Sequence, residues 1–187
     1  MQNPFFFGYG SLVNRATHNY SNCHKALVSG WRREWVSTAG RPFAYLSATR
    51  DAAGVIAGLA AEVPGGDWAE LDLREAAYSR IPLSEDEVQT ISNVTPISIY
   101  SVSDPSFAQH PILLSYLDVV LQGYLTEFGQ SGVENFMATT SNWDIPVLND
   151  RAAPLYPRHQ VLDASQTRLV DAMLTRIEAR VVKQDAT

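Results

Sequence analysis

The first 63 residues alternate short apolar, β-prone runs with turns that contain glycine or proline. Strands this short, spaced this closely, are typical of a meander or a small barrel. This feature constrains the fold more than any other, because it places most of the sheet before the first helix. The β-prone runs are residues 5–7, 26–28, 31–37, 43–46 and 54–63.

The middle of the chain predicts one short helix followed by further strands. Residues 67–77 form the helix, with Asp67 as its N-cap and Glu70 three residues later, in a capping-box arrangement. Residues 81–84 and 97–102 are β-prone.

From Pro111 onward the apolar residues recur with a period near 3.6, which predicts helix. Ser131 is expected to cap a second, shorter helix. A last helix is expected to begin at Asp163 or Ser165 and to carry Val181 on its apolar face. Strands, one helix, more strands and then helices give an α+β class, since a parallel α/β fold would alternate regularly.

Composition narrows the class of protein. The 187 residues suit a single domain (1–187), and 45% apolar content excludes a disordered chain. A net charge of −6 without basic runs argues against partners that are nucleic acids or anionic membranes. No apolar run approaches the ~18 residues of a membrane span, and no basic segment precedes Pro4, so we expect a cytoplasmic protein.

Metal and nucleophile chemistry have little support in the sequence. Cys23 is the single cysteine, so a disulfide framework and a cysteine-based zinc site are excluded. The four histidines lack metal-binding spacing, and the Gly-x-Ser-x-Gly elbow of serine hydrolases is absent. The Cys23-His24 dipeptide alone does not support a nucleophilic pair, and we expect no cofactor.

A glycine-rich turn, Gly-Tyr-Gly-Ser at residues 8–11, follows the first strand. It lacks the third glycine of a dinucleotide fingerprint, since Val13 stands there, and the lysine of a P-loop. The turn is either an ordinary tight turn or a concave array of backbone amides that holds a carboxylate or an oxyanion.

Glu75 lies on the helix face that carries Trp68 and Leu71, which should point inward. An inward carboxylate is either paired, with Arg80 or Arg33 as candidates, or used as a general base with a raised pKa. The polar, proline-braced segment 144–158 has two interpretations as well: a loop held by its own ion pairs, or a wall of a substrate site.

Several of these segments, in this order, resemble the γ-glutamylcyclotransferase superfamily, and its ChaC-like branch most closely. The opening Phe-Gly-Tyr-Gly-Ser-Leu loop and the Leu-Asp-Leu-Arg-Glu segment are the most specific. The matching segments are residues 7–12, 30–35, 54–63, 71–75, 97–102 and 129–136.

The resemblance implies a small mixed β-barrel flanked by helices, with a core of about residues 5–140 and a C-terminal loop and helix extension at about 141–187. It also implies an enzyme that cyclises the γ-glutamyl group of a small γ-glutamyl compound to 5-oxoproline, releasing an amino acid, peptide or amine. Glu75 would be the general acid/base. The substrate-binding residues would be Tyr9, Gly10, Ser11, Leu12, Tyr78 and Arg80, and neither metal nor cofactor is required.

Alternatives remain at this point. Glutathione, γ-glutamyl dipeptides and γ-glutamylamines are all open as substrates. A non-catalytic small-molecule binding module on the same scaffold is the other class of function, although it would have no use for an ionisable Glu75. The tail from Trp143 has no counterpart in the family pattern, which leaves it free for substrate choice or a homodimer contact.

Overall fold

The computed structural model describes residues 3–92, 94–106 and 108–183, which form a mixed sheet, a smaller parallel sheet and three α-helices. The strands are β1 (Phe5–Gly8), β2 (His24–Thr38), β3 (Tyr45–Glu62), β4 (Tyr78–Leu83), β5 (Val88–Thr90), β6 (Ile97–Val102), β7 (Pro105–Ser106), β8 (Ile112–Leu113), β9 (Thr140–Ser141), β10 (Val147–Asn149) and β11 (Val181–Lys183). The helices are α1 (Ala69–Arg74), α2 (Leu114–Ala138) and α3 (Ala164–Arg176).

The main sheet has the strand order β4-β6-β1-β3-β2-β5, with β7 and β9 also paired to β2. Strand β1 is central: it runs antiparallel to β3 and parallel to β6. The sheet is therefore mixed, and the α+β class predicted from the order of elements is confirmed.

The sheet curls into a half-barrel because the long strand β3 lies beside two different strands, β1 and β6, along its length. Its second half pairs with β1, while its first half lies beside the end of β6. There Ser101 Oγ donates to Ala48 O at 2.7 Å, and the Val102 amide donates to Ser47 Oγ at 3.0 Å. The curl brings the C-terminal end of β1 to an opening between β3 and β6.

Strand β1 is buried on both faces, which explains its three consecutive phenylalanines. Successive side chains of a strand point to opposite faces. Phe5 and Phe7 join the large core that includes the inner face of α2, whereas Phe6 joins a smaller cluster with Leu71 of α1. The two helices consequently cover opposite faces of the strand whose end opens into the cavity described below.

Arg33 lies fully inside the main core. The expectation that it could be the ion-pair partner of Glu75 is therefore wrong. Its guanidinium donates to Ala57 O (2.5 Å), Thr139 Oγ1 (2.6 Å) and Tyr124 Oη (2.9 Å), and it lies 5.0 Å from the Phe136 ring centroid. Burial lowers the pKa of Arg33 from its usual value. The Arg33 guanidinium is therefore surrounded by carbonyl and hydroxyl acceptors and by aromatic rings, in place of a carboxylate partner.

The helix predicted over residues 67–77 is shorter in the structure. It spans Ala69–Arg74, and Asp67 Oδ1 accepts a hydrogen bond from the Ala69 amide at 3.0 Å without Glu70 closing a box. The helix ends early because Tyr78 already begins β4, which pairs with β6 from Tyr78 to Leu83. The observed strand β4 therefore begins three residues before the strand predicted at 81–84, and it ends at Leu83.

The C-terminal helices also differ in their bounds. Helix α2 begins at Leu114, after the two residues of β8, and not at Pro111. The helical region Leu114–Ala138 is divided at Gly129, which leaves the helical conformation (φ +69°, ψ −169°), so the second, shorter helix predicted near Ser131 follows this break. Ser131 does not cap it, because its hydroxyl donates to Phe128 O at 3.4 Å. Asp163 caps α3 as predicted, but Val181 lies in β11, where it pairs with Val147.

Residues 141–183 pack onto the rest of the chain through a second sheet and through α3. In this sheet β10 runs parallel to both β8 and β11. Val170, Met173 and Leu174 of α3 belong to the main core. None of the described helices is both long enough and apolar enough to cross a membrane.

Candidate active site

A cavity of about 440 Å³ opens at the C-terminal end of β1, and a recess of about 30 Å³ adjoins it. Its size falls within the range of small-molecule sites, roughly 300–1,000 Å³. Ser11, Glu75, Tyr78 and Tyr116 line both spaces. The cavity is completed by residues 40–45, Arg74, Ala77, Leu113 and residues 155–158, and the recess by residues 7–10, Leu12, Leu46 and Tyr100.

The glycine-rich loop leads from β1 into a one-turn 3₁₀ helix, Ser11–Val13. Gly10 is required by close packing, because a Cβ there would lie 2.8 Å from the Tyr116 hydroxyl and 3.3 Å from Leu46 Cδ2. The Tyr116 hydroxyl therefore lies against the glycine-rich loop, close to the Ser11 amide. Tyr116 of α2 therefore contacts the loop whose backbone amides the sequence analysis proposed as an anion site.

The loop is fixed to α2 beyond the 3₁₀ turn. Asn14 donates to Val119 O at 3.0 Å and to Gln122 Oε1 at 2.9 Å. Gly123 makes this approach possible, since a Cβ there would lie 2.7 Å from the Asn14 amide nitrogen. The amides of the loop are thus held in place before any ligand binds.

Glu75 directly follows the last residue of α1, and its side chain is 15% exposed. Its Oε1 lies 3.2 Å from Arg74 Nε, so its ion-pair partner is Arg74 and neither Arg80 nor Arg33. Burial raises the pKa of Glu75 above the usual carboxyl value, against the opposing effects of Arg74 and Arg158. A carboxyl group of this kind is suited to exchange protons near neutral pH.

Arg74 connects Glu75 to the N-terminal loop. Its guanidinium donates to Thr17 O at 3.0 Å and to Ser11 Oγ at 3.4 Å, while the Nε faces Glu75. The side chain is 8% exposed. Arg74 therefore holds the carboxylate and the loop in one fixed arrangement.

Three tyrosines surround the carboxylate: the buried Tyr9 and the half-buried Tyr78 and Tyr116. Tyr9 Oη donates to Tyr100 O at 2.6 Å and accepts from the Ala48 amide at 2.9 Å, so it bridges the two strands at the curl. Tyr78 Oη donates to Leu46 O at 3.0 Å. Burial raises the pKa of Tyr9, Tyr78 and Tyr116 above the ordinary phenol value, which keeps these hydroxyls protonated.

The far wall of the cavity comes from the C-terminal extension and is held by Asp150, which is fully buried. Its carboxylate accepts from the Ser115 amide (2.8 Å), the Ser115 hydroxyl (2.5 Å) and the Leu155 amide (2.9 Å). The Tyr156 amide donates to the same hydroxyl at 3.3 Å.

The neighbouring Arg151 ties the same segment to two helices. Its guanidinium makes two 2.7 Å contacts with Asp118 of α2 and one of 2.7 Å with Asp171 of α3. Segment 144–158 is therefore held by ion pairs to α2 and α3 and not by ion pairs of its own, and its end lines the cavity.

The structure brings most of the predicted site residues together. Glu75, Ser11 and Tyr78 line the cavity and the recess, and Tyr9, Gly10 and Leu12 line the recess. The Leu12 side chain also packs in the smaller core cluster. Arg80 lines neither space: its guanidinium pairs with Asp72 at 3.4 Å and lies 4.0 Å from the Trp68 ring centroid.

Several lining residues were not proposed from the sequence, among them Arg41, Tyr45 and Tyr116. Tyr116 fits the apolar stripe of α2, so its spacing indicated core packing, and no local pattern distinguished Arg41 or Tyr45. Tyr156 and Arg158 fall in segment 144–158, for which a wall of the substrate site was one of the two interpretations.

The described residues offer neither a cluster of metal ligands nor an activated thiol. Within residues 3–92, 94–106 and 108–183, no three His, Cys, Asp or Glu side chains are grouped to hold a metal ion. Burial raises the pKa of the half-buried Cys23 thiol, which lowers its thiolate content.

Residues 5–100 match the profile of ChaC-like proteins, which is slightly more than half of the chain. The chain belongs to the ChaC-like family. No curated protein sequence matches it. The matched region of this ChaC-like chain ends before α2 and the C-terminal extension, which supply Tyr116, Tyr156 and Arg158 to the cavity.

Solved structures with the same fold include a γ-glutamyl cyclotransferase (TM-score 0.57, 12% identity), covering 91% of this chain and 99% of that one. The human uncharacterized protein loc79017 is similar to the same extent (TM-score 0.58, 12% identity, 91% and 99%). YkqA from Bacillus subtilis gives a TM-score of 0.58 at 14% identity over 76% of this chain, which spans 57% of YkqA. The ChaC-like chain therefore has the γ-glutamylcyclotransferase-like fold.

Proposed function

We propose that this ChaC-like chain is a γ-glutamyl cyclotransferase. It would convert the γ-glutamyl group of a small γ-glutamyl compound, such as glutathione, a dipeptide or an amide, to 5-oxoproline and release a peptide, amino acid or amine. The observation that carries the proposal is the buried Glu75 carboxyl beside the glycine-rich loop in a cavity of about 440 Å³. The family and the fold support it.

The reaction is an acyl transfer within one molecule. The α-amine nitrogen attacks the γ-carbonyl carbon, a new C–N bond closes the five-membered lactam, and the C–N bond to the leaving amine breaks. Because nucleophile and electrophile belong to the same substrate, correct folding of that substrate can supply roughly 7–11 kcal/mol. Two protons leave the α-nitrogen, one to give the attacking amine and one from the tetrahedral intermediate. The leaving nitrogen takes up one proton to depart as an amine and a second, from solvent, to become an ammonium ion. The protein has to assist these proton transfers and stabilise the oxyanion.

Glu75 is suited to the proton transfer. As a carboxylate it accepts a proton from the substrate α-ammonium, and as the acid it gives that proton to the leaving nitrogen. A pKa raised by burial allows both protonation states to be reached during turnover. The Arg74 guanidinium, whose Nε lies 3.2 Å from Glu75 Oε1, keeps the carboxylate oriented. Among the described residues that line the cavity, Glu75 is the one acidic side chain.

The loop amides and Tyr116 are suited to the negative charges. We assign the Gly10, Ser11 and Leu12 amides to the α-carboxylate or the developing oxyanion. The Tyr116 hydroxyl lies close to the same loop and, because burial raises its pKa, it stays protonated and can donate its hydrogen to substrate oxygen.

The test is the Glu75→Gln variant. We expect 5-oxoproline release, followed by mass spectrometry with glutathione, γ-glutamyl dipeptides and γ-glutamylamines, to fall at least about 100-fold, as is typical when a general acid/base is lost. Glu70→Gln is the matched control, since Glu70 is an exposed glutamate on α1 outside the cavity.

Unfolding temperatures should show that both variants are folded. Near-wild-type turnover by a folded Glu75→Gln variant would refute the assignment. Absence of 5-oxoproline from every compound with the wild-type protein, despite binding, would favour the non-catalytic binding module instead.

A further inference from the structure

Arg33 is a buried cation that the proposed chemistry does not use. Its side chain is fully buried, and among the described residues no carboxylate lies within ion-pairing distance of it and its Nε has no acceptor. Burying a charge without a counter-ion is costly, and an apolar side chain of similar volume would fill the core at a lower cost. Packing alone therefore does not account for a guanidinium at this position.

The Arg33 guanidinium directs the hydroxyl hydrogen of Tyr124. It donates to Tyr124 Oη at 2.9 Å and to Ala57 O at 2.5 Å. Tyr124 Oη lies 2.7 Å from Ala57 O and 2.9 Å from Tyr9 O, but the hydroxyl has one hydrogen to donate. Because Arg33 already donates to Ala57 O, both carbonyls have a donor when the Tyr124 hydroxyl donates to Tyr9 O.

The Tyr9 carbonyl belongs to the peptide group that begins the glycine-rich loop. The Tyr9–Gly10 peptide bond is trans, so its C=O and its N–H point in opposite directions. Since the carbonyl is held on Tyr124 in the core, the Gly10 N–H is directed away from the core, and Gly10 lines the recess. Within the described part of the chain, no protein group accepts a hydrogen bond from the Gly10 amide, which leaves this donor for a ligand.

We propose that Tyr124 is a positioning residue of the active site: its hydroxyl, directed by Arg33, holds the Tyr9–Gly10 peptide so that the Gly10 N–H faces the negative charge of the substrate. This inference rests on the proposed function. Hydrogen bonds in a chain polarise one another, so donation from Arg33 through Tyr124 to the Tyr9 carbonyl also makes the Gly10 N–H a stronger donor. Arg33 and Tyr124 line neither the cavity nor the recess, and both therefore act through the loop.

The first test is the Tyr124→Phe variant, which removes the hydroxyl and keeps the ring packed against Phe128 and Phe136. With the compound that the wild-type protein converts fastest, we expect kcat/KM for 5-oxoproline release to fall about tenfold, as for the loss of one hydrogen bond.

Thr139→Val is the matched control. The Thr139 hydroxyl also accepts a hydrogen bond from Arg33, at 2.6 Å, but it does not contact the loop. This variant should lose stability in urea as Tyr124→Phe does, because both remove a hydroxyl acceptor from the buried guanidinium. Its kcat/KM should stay within about twofold of the wild-type value, since the contact between Tyr124 and Tyr9 remains.

The amide resonance of Gly10 gives a second readout, which needs neither turnover nor a ligand. It is measured by NMR in protein labelled with ¹⁵N-glycine and is assigned by its loss in Gly10→Ala. In ligand-free Tyr124→Phe the Gly10 amide proton should move upfield, because its peptide group has lost the hydrogen bond that polarises it. In Thr139→Val the resonance should stay in place.

Two kinetic results would overturn the inference: an unchanged kcat/KM in a folded Tyr124→Phe variant, or an equal loss in Thr139→Val, which general loosening of the core would explain. If the wild-type protein releases no 5-oxoproline from any compound, the proposed function fails and the Gly10 resonance decides this inference separately. An upfield shift in Tyr124→Phe alone supports the positioning role, and no shift, or an equal shift in both variants, refutes it.

Discussion

Replacing Asp150 with alanine should both destabilise the fold and loosen the cavity wall. Asp150 is fully buried, and its carboxylate receives three hydrogen bonds of 2.5–2.9 Å from Ser115 and Leu155. Alanine removes the acceptor and leaves two backbone N–H groups without one. The perturbation is local to the turn that precedes Tyr156 and Arg158.

The size of the effect follows from these bonds. A hydrogen bond to a charged group contributes about 1.5–3 kcal/mol, and a buried donor without a partner carries a similar penalty. The three bonds share one carboxylate and relax together, so we expect a loss of about 3–5 kcal/mol in the free energy of unfolding. For a chain of this length that corresponds to a fall in Tm of roughly 10 °C.

Asp163→Ala is the matched control. Asp163 also accepts three short hydrogen bonds, from the Ser165 amide, the Ser165 hydroxyl and the Gln166 amide, but it is an exposed N-cap of α3. Its loss should cost about 1 kcal/mol, or roughly 3 °C, because water replaces it as the acceptor. The contrast between the two variants isolates the contribution of burial.

Urea and thermal unfolding measure the stabilities, and steady-state 5-oxoproline release measures the cavity. For Asp150→Ala we expect KM to rise more than kcat falls, since Glu75 and Arg74 are not attached to this wall. A Tm shift no larger than that of Asp163→Ala would refute the reasoning about the buried carboxylate. An unchanged KM would refute its role in holding the wall.

Two further predictions concern the loop and the carboxyl group. Gly10→Ala should destabilise the protein by about 1–2 kcal/mol through the Tyr116 hydroxyl 2.8 Å away, and Tyr116→Phe should partly restore stability; a double-mutant cycle in urea with no coupling energy would contradict the contact. The raised pKa of Glu75 means that the native state binds this proton more tightly than the unfolded state, so ionisation destabilises the fold as pH rises from the ordinary carboxyl range through the raised pKa. Glu75→Gln should therefore gain stability relative to wild type near neutral pH and lose that gain in acid, and a pH-independent difference in unfolding free energy would rule this out.

The sequence predicted the parts of the site that depend on local pattern. The strand at residues 5–7 and the glycine-rich turn are readable from local sequence, whereas the inward direction of Glu75 was predicted from a helical spacing that ends at Arg74. The partner of Glu75 was not. Adjacent residues on a helix do not face each other, so Arg74 was no candidate. The pair forms because the helix ends at Arg74, and Glu75 has left the helical conformation (φ −98°, ψ 30°).

Segment 144–158 was one candidate for a wall of the site, but the contacts that form the far side of the cavity could not be predicted, because they join distant segments. Tyr116 lies more than 100 residues from the Ser11 amide that it contacts, and along the helix it has the spacing of a core residue. Asp150 gave no local sign of burial, since its partners, Ser115 and Leu155, are defined by packing of the C-terminal segment on α2. Contacts between residues so far apart in the chain produce no periodic pattern in a single sequence.

The buried Asp150 anchor has a consequence for how such a protein can change over evolution. The proton-transfer group is held by α1 and the N-terminal loop, whereas the opposite wall is attached to α2 through Asp150 and the neighbouring Arg151. Residues 155–158 beyond that anchor can therefore vary without moving Glu75. Substitutions at residues 155–158 could therefore change the range of substrates, while Asp150 and Glu75 are retained.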